Sequence, residues 1–218
     1  MNKMYDKHYF DRGFGSNYKS GYKAKEKSNV KYFHFVRRKA GSLTGKKILD
    51  IGCAYGYFLK HCWDSGARVY GMDNSLHAVK IAKRLLPEGK ILSGNAENKL
   101  PFKYNYFDIV VAFDLIEHLT SPYKFLTETS RILKKDGLLF IATPNADALQ
   151  KILLKEKWHG FVDMGHKYLM SPLSLKFLVK RAGFREIIIN TPFYPLGRFS
   201  KILEWTGRGG QIWLEGRK

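Results

Sequence analysis

Three of the seven histidines in this 218-residue chain stand where a side chain could transfer a proton. His118 follows an apolar run and a glutamate, whereas His159 and His166 share the segment WHGFVDMGHKY. Imidazole titrates near neutral pH, so each ring could take a proton from a bound molecule. We predict His118 and His166 as catalytic residues and His159 as a substrate contact. The alternative for His118, a structural ring packed beneath a ligand, stays open.

A turn rich in small residues offers a second kind of chemistry, the close binding of a ligand by the backbone. Its sequence is Asp50-Ile51-Gly52-Cys53-Ala54-Tyr55-Gly56, and glycines there allow close approach and a sharp bend into a helix. The dinucleotide fingerprint GxGxxG needs glycine where Ala54 and Tyr57 stand, which argues against a nicotinamide or flavin. Asp73 follows the next apolar run. Alone it would suit a helix cap, but beside this turn it is better placed to accept hydrogen bonds from ribose hydroxyls.

These residues need a framework that brings several strand ends together, and the sequence predicts one. The runs KKILDIG, RVYGMD, KILSG, FDIVVAF and LLFIAT alternate with segments of helical periodicity, and FREIIIN follows as a sixth strand. QIWLEGRK alternates apolar and polar residues and suits an antiparallel strand. Alternation of this kind indicates right-handed βαβ units. The predicted class is α/β, a doubly wound, Rossmann-like sheet of seven mostly parallel strands with an antiparallel last strand, flanked by helices.

Helix ends are predicted from capping residues. Ser121-Pro122 and Ser171-Pro172 each place a capping side chain before a proline at the first helical position. Gly41 stands where a helix should end. Asn74 could lie against a ligand or cap the helix that follows Asp73, and we prefer the cap.

The turn spacing Asp-x-Gly-x-(Gly/Ala)-x-Gly resembles motif I of class I methyltransferases. Three later segments, GNAENKLPF (94–102), AFDLIEHL (112–119) and LKKDGLLFIATPN (133–145), resemble the third to fifth blocks of that family. HKYLMSPLSLKFLVKRAGF (166–184) is similar to a tail of its quinone and sugar O-methyltransferase branch. The resemblance runs over about residues 46–190 and implies S-adenosylmethionine as cofactor, with S-adenosylhomocysteine as product. The cysteines and histidines have no zinc-site spacing, and we expect no metal.

The resemblance also implies a cofactor contact for individual residues. The turn would hold the methionine end and ribose, Asp73 the ribose, and the segment after the third strand the adenine. The residues concerned are Asp50, Gly52, Cys53, Ala54, Gly56, Asp73, Asn74, Asn95, Ala96 and Phe113.

The formal net charge of +19 is concentrated at the two ends of the chain. Residues 1–47 hold 13 Lys/Arg against 3 Asp/Glu, residues 48–147 hold 12 against 11, and residues 148–218 hold 13 against 5. Such flanks can be no more than a solvated surface. They could also face an anionic small-molecule acceptor, a nucleic acid or an acidic membrane surface, and the basic, apolar run 149–158 is typical of interfacial helices. No run is long enough to span a membrane and no signal core is present, so we expect a cytoplasmic protein.

The chain is interpreted as one domain with two additions, an N-terminal arm and an insertion. Residues 1–45 form a basic and aromatic arm with a helix, in which Tyr9, Tyr18 and Tyr22 are predicted substrate contacts. Residues 46–218 form the methyltransferase domain, with an insertion at about 146–170. This insertion is either a lid over the substrate or an amphipathic helix at the sheet edge.

The predicted activity is O- or N-methylation of a small molecule. RNA methylation is an alternative that the basic flanks favour, although Asp114-Leu115-Ile116-Glu117 lacks the Asn/Asp-Pro-Pro-aromatic motif of base-amino methyltransferases. A non-catalytic protein that binds S-adenosylmethionine is the second alternative.

Overall fold

The structure, a computed structural model, describes residues 26–192 and 206–218. Its strands are β1 (Lys47–Ile51), β2 (Arg68–Asp73), β3 (Lys90–Ser93), β4 (Phe107–Phe113), β5 (Leu133–Pro144), β6 (Arg185–Asn190) and β7 (Gln211–Arg217). They form one sheet in the order β3-β2-β1-β4-β5-β7-β6. The first five strands are parallel to one another, and β7 is antiparallel to both β5 and β6. The predicted fold class, including the antiparallel last strand, is confirmed.

Helices cover both faces of this sheet. They are α1 (Glu26–Ala40), α2 (Tyr57–Asp64), α3 (Leu76–Leu85), α4 (Pro122–Ile132), α5 (Leu149–Leu154), α6 (His159–Val162) and α7 (Pro172–Arg181), with short 3-10 helices at Ile116–His118 and Lys155–Lys157. On β4, Val110 and Ala112 face one apolar cluster, whereas Ile109 and Val111 face the other. A strand that is buried on both faces reads as a continuous apolar run, as β4 does.

Of the helix caps predicted from sequence, the structure confirms Ser171 and contradicts Ser121 and Asn74. Ser171 caps α7, because its side chain accepts a hydrogen bond from the Ser174 backbone N–H. Ser121 precedes α4 in the same Ser-Pro pair but makes no side-chain capping bond, so that prediction is wrong. The preferred role of Asn74 is also wrong, since Ser75 caps α3 by accepting from the Ala78 N–H at 3.2 Å.

The described residues include no helix with the length and apolar character that a membrane crossing requires. The arm residues Tyr9, Tyr18 and Tyr22 lie outside the described residues. Within the segment 146–170 the chain forms α5, a 3-10 turn and α6, and Trp158 between them is fully buried.

Candidate active site

The turn after β1 is shaped by residues with positive φ angles. Gly52 and Gly56 have φ angles of 83° and 81°, and Ala54 has a φ of 47°. The backbone N–H groups of Gly52 and Cys53 both donate to the Met72 carbonyl of β2, at 2.7 and 3.2 Å. Because left-handed conformations cost little for glycine, the sequence folds here into a tight turn that enters α2 directly.

The Asp73 carboxylate joins this turn to the end of β2. Its Oδ2 accepts from the Ala54 N–H at 2.9 Å, and its Oδ1 accepts from the Ser75 N–H at 2.8 Å. Burial raises the pKa of this carboxyl above its ordinary value, and the backbone bonds oppose that rise. A carboxylate has about four acceptor positions, so each oxygen retains capacity for a ligand hydroxyl.

Asp50 lies beneath the same turn and is buried. Burial, followed by the negative charge of Asp73, raises its pKa well above the ordinary value. Burial thus raises the pKa of both carboxyls at this turn, and acidic groups that are perturbed together mark candidate functional sites.

The predicted adenine contacts lie next to the end of β2. The Gly94 N–H donates to the Asp73 carbonyl at 2.9 Å, which sets Asn95 and Ala96 immediately beyond that strand end. Asn95 is exposed and its Oδ1 accepts from the Glu97 N–H, whereas Ala96 is buried. Asn74 is exposed on the same rim.

The end of β4 carries a network that the sequence did not reveal. Phe113 stacks on Tyr32 of α1 with ring centroids 4.2 Å apart and an interplanar angle of 14°. Tyr32 donates its hydroxyl to Asp114 Oδ2 at 3.2 Å, and Gln211 Nε2 donates to Asp114 Oδ1 at 3.3 Å. Asp114 has a φ of 50°, a conformation that non-glycine residues hold only when their surroundings enforce it. Burial raises the pKa of Tyr32 well above its ordinary value, so its hydroxyl remains a donor.

Two of the three predicted histidines meet beside a buried glutamate. His118 and His166 have ring centroids 4.8 Å apart, and His166 Nε2 lies 4.0 Å from Glu117 Oε1. The Thr143 hydroxyl donates to Glu117 Oε2 at 2.9 Å. His166 Nδ1 lies 2.8 Å from the Gly160 carbonyl oxygen and donates a hydrogen bond to it.

The surroundings of His118 favour its neutral form. Burial and the positive charge of His166 lower its pKa, and a hydrogen bond to the Gly165 backbone opposes them. A neutral imidazole can accept a proton, as a general base must. The ligand atoms of Glu117, His118 and His166 all lie within 4.8 Å of one another, so the same three side chains could also hold a divalent metal ion.

The histidine pair adjoins the turn through Leu115. A Cβ added to Gly52 would lie 3.3 Å from Leu115 Cδ1, and the 3-10 helix that carries His118 begins at the next residue, Ile116. The candidate ligand turn and the candidate base are therefore neighbours.

His159 is not part of the His118–His166 pair. It is exposed, and its ring lies 5.0 Å from that of Trp158, so its role as a substrate contact stays a prediction.

Trp158 is a residue of this region that was not identified from the sequence. Among the described residues its buried indole N–H has no hydrogen-bond partner. Its burial could not be inferred from the polar residues around it.

Residues 24–188 match the family model described as a methyltransferase domain. A ubiquinone biosynthesis O-methyltransferase of Haemophilus ducreyi is 28% identical over 149 residues, which are 65% of this chain and 60% of that protein. The chain thus spans less than two thirds of the length of that relative. The enzyme of the same name from Idiomarina loihiensis is 28% identical over 82% of this chain and 78% of its own. The crystal structure of a SAM-dependent methyltransferase from Archaeoglobus fulgidus has a TM-score of 0.70 at 19% identity, covering 93% of this chain and all of that one, and so shares the fold.

Proposed function

The chain belongs to the methyltransferase domain family, and from that premise we propose that it transfers a methyl group from S-adenosylmethionine to a hydroxyl oxygen of a small molecule. The observation that carries this proposal is the contact between the turn at Gly52 and Leu115, which brings a ligand-binding turn beside the His118–His166–Glu117 group. One part can hold a methyl donor. The other can remove the proton that O-methylation releases.

The residues at the turn fit the proposed cofactor. The positive φ angles at Gly52 and Gly56 leave the turn open to close approach, and a side chain at Gly52 would crowd Leu115. The Asp73 oxygens would accept hydrogen bonds from two ribose hydroxyls. Burial raises the pKa of Asp50 and Asp73, and a bound ligand that carries a positive sulfonium would favour the ionised form of both carboxyls. Phe113, Asn95 and Ala96 would contact the remaining parts of this ligand.

The residues of the chain have two tasks in the transfer. When bound, the cofactor supplies an electrophilic methyl group on a sulfonium. His118 would take the proton that the acceptor hydroxyl loses in the transfer, and the nearby Glu117 carboxylate would stabilise the resulting imidazolium. The turn and the segment 146–170 orient the two reactants, and such orientation lowers a barrier by several kcal/mol.

The proposed acceptor is a phenol of the quinone-precursor type. This choice rests on the two relatives that act in ubiquinone biosynthesis. We propose that residues 146–170 cover this acceptor, because Gly165 packs directly on the His118 ring.

The test is a transfer assay with S-adenosylmethionine labelled in its methyl group and a panel of catechols, hydroxybenzoates, amines and RNA. We expect label in phenols that have a neighbouring hydroxyl or methoxy group. Asp73→Ala should weaken cofactor binding about 10-fold or more, since two charge-assisted hydrogen bonds are lost. Asp64→Ala, which removes an exposed acid paired with Lys60, is the matched control and should bind like the parent protein.

Each alternative has its own result in that assay. Label in RNA alone would replace the small-molecule acceptor with a nucleic acid. Binding of the cofactor without transfer to any member of the panel or to a cell extract would favour the non-catalytic protein. Affinity for a nicotinamide or flavin, together with none for S-adenosylmethionine or S-adenosylhomocysteine, would contradict the proposal as a whole.

A further inference from the structure

A cavity of about 640 Å³ opens at the β3 edge of the sheet, and its lining includes no residue of the turn at residues 52–56. It exists because the connection between β3 and β4, residues 94–106, forms no helix. Without such a helix, residues of β2 and β3, among them Tyr70 and Ile91, line the cavity. Small-molecule sites have volumes of about 300–1,000 Å³, so the cavity is of ligand size.

Aromatic side chains form part of its wall. Tyr70 and Tyr106 line it with Phe102, and their two hydroxyl oxygens are 2.9 Å apart. The Tyr70 and Tyr106 rings stand at 89° with centroids 5.7 Å apart, and both pack edge-on against Phe107. The pair is fixed on the core, so these rings can offer a preformed surface to a flat ligand.

Lysines provide the charge. Lys83 of α3, Lys90 at the start of β3 and Lys103 of the connection line the cavity, and its lining includes no acidic residue. Within residues 26–192 and 206–218, none of these three lysines forms an ion pair with a carboxylate. Lys47 adds a further cation, with its Nζ 3.8 Å from the centroid of the Tyr106 ring. Cations that are gathered around an apolar cavity without acidic partners favour an anionic ligand.

The state of Tyr106 is consistent with a positive potential here. The hydrogen bond from the Tyr70 hydroxyl lowers the pKa of Tyr106 most, and the charges of Lys47 and Lys90 lower it further. Burial raises the pKa of Tyr70 to about 12. The Lys47 and Lys90 charges therefore favour negative charge at the Tyr106 oxygen, and they would favour an anionic group of a ligand in the same way.

We propose that this cavity binds a small, flat aromatic anion of the nucleoside monophosphate type, with its ring against the Tyr106 and Phe102 side and its phosphate on Lys90 and Lys103. The site is distinct from the proposed cofactor site. S-adenosylmethionine carries a sulfonium and no phosphate, so the lysines would repel it. The proposal does not depend on the identity of the methyl acceptor.

The probe is uridine 5′-monophosphate, measured by isothermal titration calorimetry, because its pyrimidine ring does not mimic the adenosyl group. Uridine and inorganic phosphate are titrated separately to divide the ring contribution from the charge contribution. We expect the nucleotide to bind about 10-fold or more tightly than either part, since both the rings and the lysines contribute. Saturation with S-adenosylhomocysteine should not displace it.

The variant Lys90→Glu/Lys103→Glu should weaken nucleotide binding about 10-fold or more. Its matched control is Lys80→Glu/Lys176→Glu, which makes the same charge change at exposed positions of α3 and α7 and should alter binding less than about 2-fold. Both variants should keep the melting temperature and the S-adenosylhomocysteine affinity of the parent protein, which separates this test from that of the methyltransferase proposal.

Three results would overturn the proposal. The first is no binding of the nucleotide at about 1 mM. The second is an equal loss in both double variants, which would show that net charge alone is responsible. The third is tighter binding of a uridine oligonucleotide than of the mononucleotide, which would assign the cavity to a nucleic-acid strand.

Discussion

His118 is held in a setting that keeps its imidazole neutral near pH 7. It is mostly buried, and the nearby His166 disfavours a second positive charge. Glu117 is fixed beside the pair by the Thr143 hydroxyl. A base in this setting can accept a proton, and the carboxylate then balances the charge that forms.

This setting predicts the acid limb of the pH–rate profile. The pKa of His118 is lowered, so the neutral base is present above that pKa and is lost as the pH falls through it. We expect kcat/KM to fall on the acid side with a midpoint below the ordinary histidine value of about 6.5. His118→Gln should reduce kcat by about 100-fold or more and remove the limb. An acid limb that persists in this variant would assign the proton transfer to another group, and loss of activity on chelation would instead indicate a bound metal ion.

Asp50 is expected to lower the free energy of unfolding of the protein without ligand and to strengthen ligand binding. Its pKa in the folded chain is raised, so its favourable contribution exists below the unfolded pKa and is lost as the pH rises through the folded pKa. At pH 7, which lies above the ordinary carboxyl pKa, this carboxyl therefore lowers the stability of the protein without ligand. Asp50→Asn should raise the free energy of unfolding by about 1 kcal/mol at pH 7, and this gain should shrink as the pH approaches 4.

The same variant should bind S-adenosylmethionine more weakly, because its sulfonium loses an acidic neighbour, and calorimetry would measure this beside urea unfolding at both pH values. Asp64→Asn, which changes an exposed acid at the end of α2, is the control and should change neither property. A gain in stability that is equal at the two pH values would contradict the electrostatic explanation.

At the level of elements, periodicity and turn residues located the strands and the longer helices, because apolar spacing is a local property of the sequence. Hydrogen bonding at the caps was harder to predict. Ser121 and Ser171 stand in identical Ser-Pro pairs, but their ψ angles are 72° and 160°. Only the second geometry directs the hydroxyl at the first turn of the helix. The dihedral angles depend on how the preceding chain arrives, which the pair itself does not encode.

These two serines give a matched test. Ser171→Ala should lower the free energy of unfolding by about 1 kcal/mol, since the Ser171–Ser174 capping box is lost. Ser121→Ala should cost less than about 0.5 kcal/mol, because its side chain makes no capping bond. Denaturant unfolding of both variants provides the comparison. Equal losses would show that Ser121 caps α4 in solution.

At the scale of the whole molecule, sequence motifs identified candidate site residues. They did not reveal the contacts between residues that are far apart in the chain. The turn at 50–56, Asp73 and His118 could be proposed from sequence because strand ends gather at one edge of a parallel sheet. His166 was proposed separately, and its pairing with His118 was not predicted. The Tyr32–Asp114–Gln211 network could not be proposed, since its two hydrogen bonds join residues 82 and 97 positions apart. The order of the last strands was equally hidden, because QIWLEGRK alternates as an edge strand would.

The structure instead inserts β7 between β5 and β6. Leu214 of β7 is fully buried, whereas Ile188 of the edge strand β6 is 44% exposed. Leu214→Ala should therefore cost about 3 kcal/mol in the free energy of unfolding, through lost burial and a cavity, and Ile188→Ala less than about 1 kcal/mol. Guanidinium unfolding of the two variants measures the difference. Similar losses would place β7 at an edge of the sheet. They would also contradict the hydrogen bond between Gln211 and Asp114, because that bond requires β7 to lie next to β5.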